Sequence, residues 1–364
     1  MLSTVSASGW CPWLVALCCL LALPGVGAQE PAGESKRDFT IAWSRYPGWE
    51  PWGIAASSGI LAKWAEREGL RITMEYVDSY PASLEGFVSG RYDGCAMTNI
   101  DVVTGPLANK LNTAVVVVGD YSAGNDGVVL SAGRDLSALA TVPIHLVQDS
   151  VSHYLLYRAS QSFGLDFGKL TVVNTDETAL VDQLAGGTAA AIVTWNPHLA
   201  NARRLPGATM AYDSSRIQGE ILDLMAVRGD APDGLRRALV GAWFETVGQL
   251  VSMDPAVRDA LLQALAAQAG VTPAEMTEQL EATAMFFHAW DAAGYLRSPR
   301  HVDAWRKALE FADARALIPN ATDRRSRVRV EFPQGAVLGG TGTSVVIDDR
   351  YTRAAALGDL TAPR

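Results

Sequence analysis

Ala189-Ala190-Ala191-Ile192-Val193-Thr194 runs directly into Trp195-Asn196-Pro197. A short apolar run of this kind reads as a buried strand. An aromatic and a carboxamide stand just beyond its carboxyl end. The same grammar recurs where Phe39-Thr40-Ile41-Ala42-Trp43 leads into Tyr46-Pro47-Gly48-Trp49-Glu50-Pro51-Trp52-Gly53. Open α/β sheets bind ligands outside the carboxyl ends of their strands. Two such ends predict one pocket built from two halves, and capture of a small ligand rather than chemistry on it.

Working outward, strands alternate with helices. Trp52–Glu68 has apolar residues at helical spacing and is predicted as one helix ending at Gly69. Strands are predicted over Arg71–Val77, Gly94–Thr98 and Ala114–Val118, with a helix over Ser83–Gly90. The rhythm repeats: strands Pro143–Val147, Leu170–Val173 and Ala189–Thr194, with helices opening at Ser150 and Thr178. Such alternation predicts sheets covered by helices on both faces, in two blocks of about 37–122 and 127–213. From Gly234 to Asp313 the pattern is helical, and Thr272-Pro273-Ala274-Glu275 is a helix start. Pro319–Arg364 reads as an extended tail packed on one lobe.

The chain has 364 residues, 49% of them hydrophobic and 19% charged, as suits a globular protein with two cores. A net charge of -9 argues against a nucleic-acid partner. Trp13–Leu23 is apolar and uncharged, too short to span a bilayer, and Val26-Gly27-Ala28 supplies a small-residue cleavage site. Residues 1–28 therefore read as a signal peptide and 29–37 as a tether, which predicts a periplasmic location. Lys and Arg are missing from 1–28, so a retained anchor stays open as an alternative. Removal of the leader would take Cys11, Cys18 and Cys19 and leave Cys95 without a disulfide partner.

Several segments, taken as a set, carry a resemblance. They are Trp43–Gly53, Met97-Thr98-Asn99-Ile100-Asp101, Val118–Gly127, Ser152-His153-Tyr154-Leu155-Leu156 and Val193–Pro197, with Val345–Leu360 beside them. The chain resembles periplasmic solute-binding proteins of ABC importers, in the nitrate/sulfonate/taurine-type group, and within it the branch associated with urea carboxylase. The resemblance implies an α/β fold of the two-lobed, type II periplasmic-binding kind. Its sheets are parallel or mixed and flanked by helices, and the ligand lies in a cleft beside a two-strand hinge. Lobe 1 would comprise 38–122 plus 218–318, lobe 2 would comprise 123–217, and 319–364 would be the tail. It further implies a guanidinium or urea/amide-like ligand, a monomer that partners ABC permease subunits, no cofactor, no metal and no enzymatic activity. A nitrate- or sulfonate-type anion binder is the alternative on the same fold, and a thiamin-precursor-synthase-like enzyme a further one.

Each candidate residue has a plain reading beside the functional one. Trp43, Tyr46, Trp49, Trp52 and Trp195 are either core aromatics or faces for a flat, cationic ligand. Glu50 is either a first-turn acid at a helix start or a ligand contact. Asp78, Asn99, Asp101, Asp120, Asp126 and Asn196 stand at or just past strand ends, where they cap and turn the chain or accept ligand N–H groups. Ser152 and His153 open a helix whose N–H groups would suit an anion. His145, His153 and His198 lie on different elements, which argues against a metal site.

Overall fold

The strand–helix alternation folds into two mixed sheets flanked by helices, as expected. The computed structural model describes residues 36–360. The leader expected over 1–28 and most of the tether over 29–37 lie outside the described residues, as do 361–364.

The first sheet begins with β1 (Asp38–Trp43), flanked in parallel by β2 (Arg71–Tyr76) and β3 (Gly94–Thr98). β4 (Thr113–Ser122) then carries the chain out of this sheet. The second sheet contains β5 (Asp126–Leu130), β6 (Ile144–Leu146), β7 (Val172–Asn174), β8 (Ala191–Trp195) and β9 (Thr209–Asp213), in the order β7-β6-β8-β5-β9. β10 (Leu222–Arg228) returns to the first sheet and lies antiparallel between β3 and β4. Val115–Val118 and Leu224–Val227 are buried throughout, which is why these strands read as unbroken apolar runs. Two acids interrupt those runs. Asp120 of β4 and Asp223 of β10 stand opposite each other in register.

The structure departs from the sequence expectations at three places. Trp52–Glu68 is two helices, Glu50–Ser57 and Ile60–Arg67. The break is Gly59, whose φ of 80° is left-handed and cannot continue a helix. The block 234–313 is not wholly helical: β11 (Thr283–Met285) pairs with the end of β4. The tail is not merely extended. It supplies β12 (Val328–Glu331), β13 (Val337–Gly339) and β14 (Thr343–Ile347), then a helix, Arg350–Ala356. β14 pairs in parallel with β4, so the tail extends the first sheet by three strands in the order β13-β12-β14. Its glycine pair is sterically required, because a Cβ on Gly339 or Gly340 would collide with the carbonyls of Val328, Arg324 and Ser326.

Candidate functional site

A small cavity lies where the two sheets face each other. The loop after β1 brings Tyr46 and Trp49 to it. This loop must run close to β4, since a Cβ on Gly48 would sit 2.6 Å from Asp120 Oδ2. Tyr80 opens the helix after β2, and Thr98 ends β3. The opposite side contributes Asp126 from the start of β5, Trp195 from the end of β8, and Val151 from the first turn of helix Val151–Phe163. Ile221 and Asp223, at the start of β10, complete the lining.

The aromatics form a continuous wall across the junction. Trp49 lies 5.1 Å from Tyr46 and 5.0 Å from Tyr80, centroid to centroid. Tyr80 meets Trp195 edge-on at 5.7 Å. Such tilted and edge-to-face pairs are the favoured geometry for aromatic rings.

Carboxyls stand behind the wall. Asp101 Oδ2 accepts hydrogen bonds from the hydroxyls of Tyr80 at 2.7 Å and Thr98 at 2.6 Å. Asp126 is paired in register with Trp195 and accepts from the Ser122 hydroxyl. The Asp120 and Asp223 carboxyls face each other closely enough to share a proton, the Tyr46 phenol lies beside Asp223, and Trp49 Nε1 is buried without a hydrogen-bond partner. Buried polar atoms are nearly always satisfied, and here the acids are satisfied by one another and by hydroxyls rather than by a cation.

Burial raises every one of these acids. It pushes Asp101 up to about 6, opposed by the hydroxyls of Thr98 and Tyr80. It pushes Asp126 up to about 7, and Asp120 to about 7 with the nearby Asp126 charge adding to the rise. Asp223 is driven well above the ordinary carboxylate range, by burial first and then by the charges of Asp120 and Asp126. No Lys or Arg is among the groups that act on these last three carboxyls.

Of the residues singled out from sequence, Tyr46, Trp49, Asp126 and Trp195 line the cavity, and Asp101 stands directly behind Tyr80 and Thr98. The others are placed elsewhere. Trp52 is buried and packs against Trp243 at 4.8 Å. Trp43 packs on Tyr76, and Glu50 is held by Arg45 at 3.0 Å and by Gln268. Asp78 is exposed and accepts from Tyr76 OH. Asn99 clamps the chain's return, donating to Glu220 O and accepting from Leu222 N–H. Asn196 bonds Asn125 at 2.6 Å. His153 accepts from the Asp149 N–H and packs on Phe167 and Phe311, while Ser152 is buried beside it with its hydroxyl unpartnered.

Sequence reasoning missed Tyr80, Thr98, Val151, Ile221 and Asp223. Asp223 had a signal: it is an acid inside the apolar run Ile221–Val227. Tyr80 was hidden in Asp78-Ser79-Tyr80-Pro81, which reads as a turn and in fact starts a helix.

Contacts between the two sides hold the cavity shut. The Tyr80 N–H donates to Glu177 Oε1 at 2.7 Å, and Arg315 pairs with Asp149 at 2.7 Å. Glu220, just before β10, accepts from Tyr154 OH and Arg158 on one side and from Lys307 on the other.

No protein-family model matches the chain, and no curated protein matches it in sequence. Solved structures do match. The periplasmic aliphatic sulphonate binding protein SsuA of Escherichia coli aligns with a TM-score of 0.60 at 17% identity, over 79% of this chain and 95% of that one. The fold is that of the periplasmic binding proteins. The alkanesulfonate-binding protein SsuA of Xanthomonas axonopodis pv. citri, bound to MOPS, aligns with a TM-score of 0.63 at 16% identity, over 78% of this chain and 95% of that one. A ligand-binding component of an ABC-type import system from Staphylococcus aureus, with zinc bound, gives 0.61 at 12% identity, over 78% and 93%. At these identities the likeness establishes the fold and leaves the ligand open. Among the described residues, no group of three or more His, Cys, Asp or Glu side chains could hold a metal ion.

Proposed function

We propose that this chain is the substrate-binding component of an ABC importer that captures a small, planar, N–H-rich solute of the guanidinium or urea type. The observation that carries the reading is the set of buried carboxyls around an aromatic-walled cavity, with no Lys or Arg among the groups that act on Asp120, Asp126 or Asp223. Carboxylates accept paired N–H groups, and aromatic faces suit flat conjugated ligands. Size supports the same class. The closed cavity encloses only about 10 Å³ of space, far below the roughly 300–1,000 Å³ usual for drug-sized ligands, so it suits nothing larger than a solute of a few heavy atoms. The lobes would be 38–122 plus 218–318 and 123–217, closing about the crossings near 122–126 and 213–222. The closed, monomeric, exported protein would then present both lobes to its permease, binding its solute without chemistry.

A second reading, an anion of the nitrate or sulfonate type, draws support from the sulfonate-binding structures of the same fold and from the helix start at Val151 beside the cavity. Calorimetry with guanidinium, urea, nitrate and taurine separates the two. Binding of either nitrogen compound is expected. Tight binding of nitrate or taurine with no response to guanidinium or urea would overturn the preferred reading.

A further inference from the structure

Guanidinium and urea have nearly the same shape, so size cannot choose between them; charge, and the carbonyl acceptor that only urea has, can. Asp120, Asp126 and Asp223 arrive on three separate strands, and each is at most 2% exposed. Asp223 lines the cavity and stands in register with Asp120, close enough for the two carboxyls to share a proton. No Lys or Arg is among the groups that act on these three acids. Thr98 of β3 stands opposite Asp223, Met285 of β11 opposite Asp120, and Trp195 of β8 opposite Asp126. The remaining groups that act on the three are the Tyr46 phenol, the Ser122 hydroxyl and the Asp101 carboxyl. A buried carboxylate with no cation nearby is costly and takes a proton instead.

We propose that protons held by Asp120, Asp126 and Asp223 stand in for the ligand's charge, so that the cavity selects a planar monocation over a neutral molecule of nearly the same shape, with Asp223 as a specificity-determining residue. The inference rests on the reading of this cavity as the ligand site. On binding a cation, a carboxyl O–H bond breaks, its proton passes to solvent, and the freed oxygen accepts an N–H from the ligand. A neutral ligand leaves that proton in place. Guanidinium stays charged across the working pH range, as the arginine side chain does. The guanidinium-to-urea affinity ratio must then rise with pH, by up to about tenfold per unit while one proton is displaced. Any opening of the empty protein cancels from this ratio, because both ligands share the same starting state.

The test is calorimetry with guanidinium chloride and urea between about pH 6 and about pH 8, in two buffers of different ionisation enthalpy. The expected result is a ratio favouring guanidinium that grows with pH, and more protons passed to buffer by guanidinium than by urea. Asp223→Asn should cut the ratio at the higher pH by roughly tenfold or more and flatten its slope. Asp126→Asn, in the other sheet, should act in the same direction. A ratio independent of pH, or one favouring urea, overturns the inference and leaves the importer reading standing. Failure of both compounds to bind takes the reading down with it. A pH-dependent ratio that Asp223→Asn leaves untouched removes Asp223 from the role.

Discussion

At the scale of single residues, the four tryptophans near the start of the two strand ends divide sharply. Trp49 and Trp195 face the cavity, whereas Trp52 is locked against Trp243. Trp195→Ala should weaken ligand binding by about 1–3 kcal/mol through lost burial and stacking, with a small change in melting temperature. Trp52→Ala should do the reverse: a loss of about 3–5 kcal/mol in stability by denaturant titration, with affinity nearly unchanged in whatever fraction stays folded. Equal effects of the two on affinity would contradict their placement. The sequence showed that aromatics and acids gather beyond strand ends, because that pattern is local. It did not show which way each side chain points. Trp49 is the N-cap, outside the helix that holds Trp52, and packs on Tyr46 and Tyr80 while Trp52 packs on Trp243, a difference their spacing does not reveal. Asp223 escaped for another reason: its partners Asp120 and Tyr46 are distant in the chain, and only strand pairing brings them together.

Elements were legible where their punctuation is local. The helix from Ser150, the left-handed stops at Gly69 and Gly90, and the capping box of Thr272 and Glu275 all follow from short-range chemistry. Removing the cap by Thr272→Ala should cost about 1 kcal/mol in denaturant titrations. Pairing was less legible, and β4 shows why. Its neighbours β10, β11 and β14 all come from much later in the chain, and nothing local in Thr113–Ser122 announces them. β4 is also pinned from one face. A Cβ on Gly119 would lie 2.5 Å from the Trp243 ring, which itself packs at a tilt on Trp52. Gly119→Ala should therefore destabilise by about 1–3 kcal/mol, and it should also weaken ligand binding because Asp120 is the next residue. Calorimetry on the variant checks the second effect; unaltered affinity would mean that β4 yields without moving Asp120.

For the whole molecule, the buried acids set a pH dependence with a definite sign. Asp120 and Asp126 titrate near 7 when folded, against an unfolded value of roughly 3.9. The folded protein thus holds more protons between those values, and its stability falls as pH rises through them. Burial lowers His153, His198 and His301, which works in the opposite direction below about pH 6.5. The clean window lies above that. The melting temperature of the empty protein should rise as pH drops from about 8 to about 6.5. Asp223→Asn should raise it at the upper end and reduce the slope. A melting temperature that climbs with pH in this window would refute the assignment. Ligand should also make the molecule more compact, seen as a smaller radius of gyration in solution scattering, since bonds such as Tyr80 N–H to Glu177 form only when the two sides meet. Glu177→Gln keeps an acceptor and should shift that closure little, whereas Glu177→Ala should leave the ensemble more open at equal ligand.

The strand β14 has a consequence for how the chain is made. β4 carries Asp120 toward the cavity, yet the edge of β4 that β14 covers stays bare until residue 347 has arrived, more than 200 residues after β4 itself. A chain that emerges amino-terminus first would pass through a long interval with a run of valines exposed on an unfinished edge. Its synthesis should accordingly lean on holding factors that mask such edges, and nascent chains arrested before β14 should be the ones those factors retain.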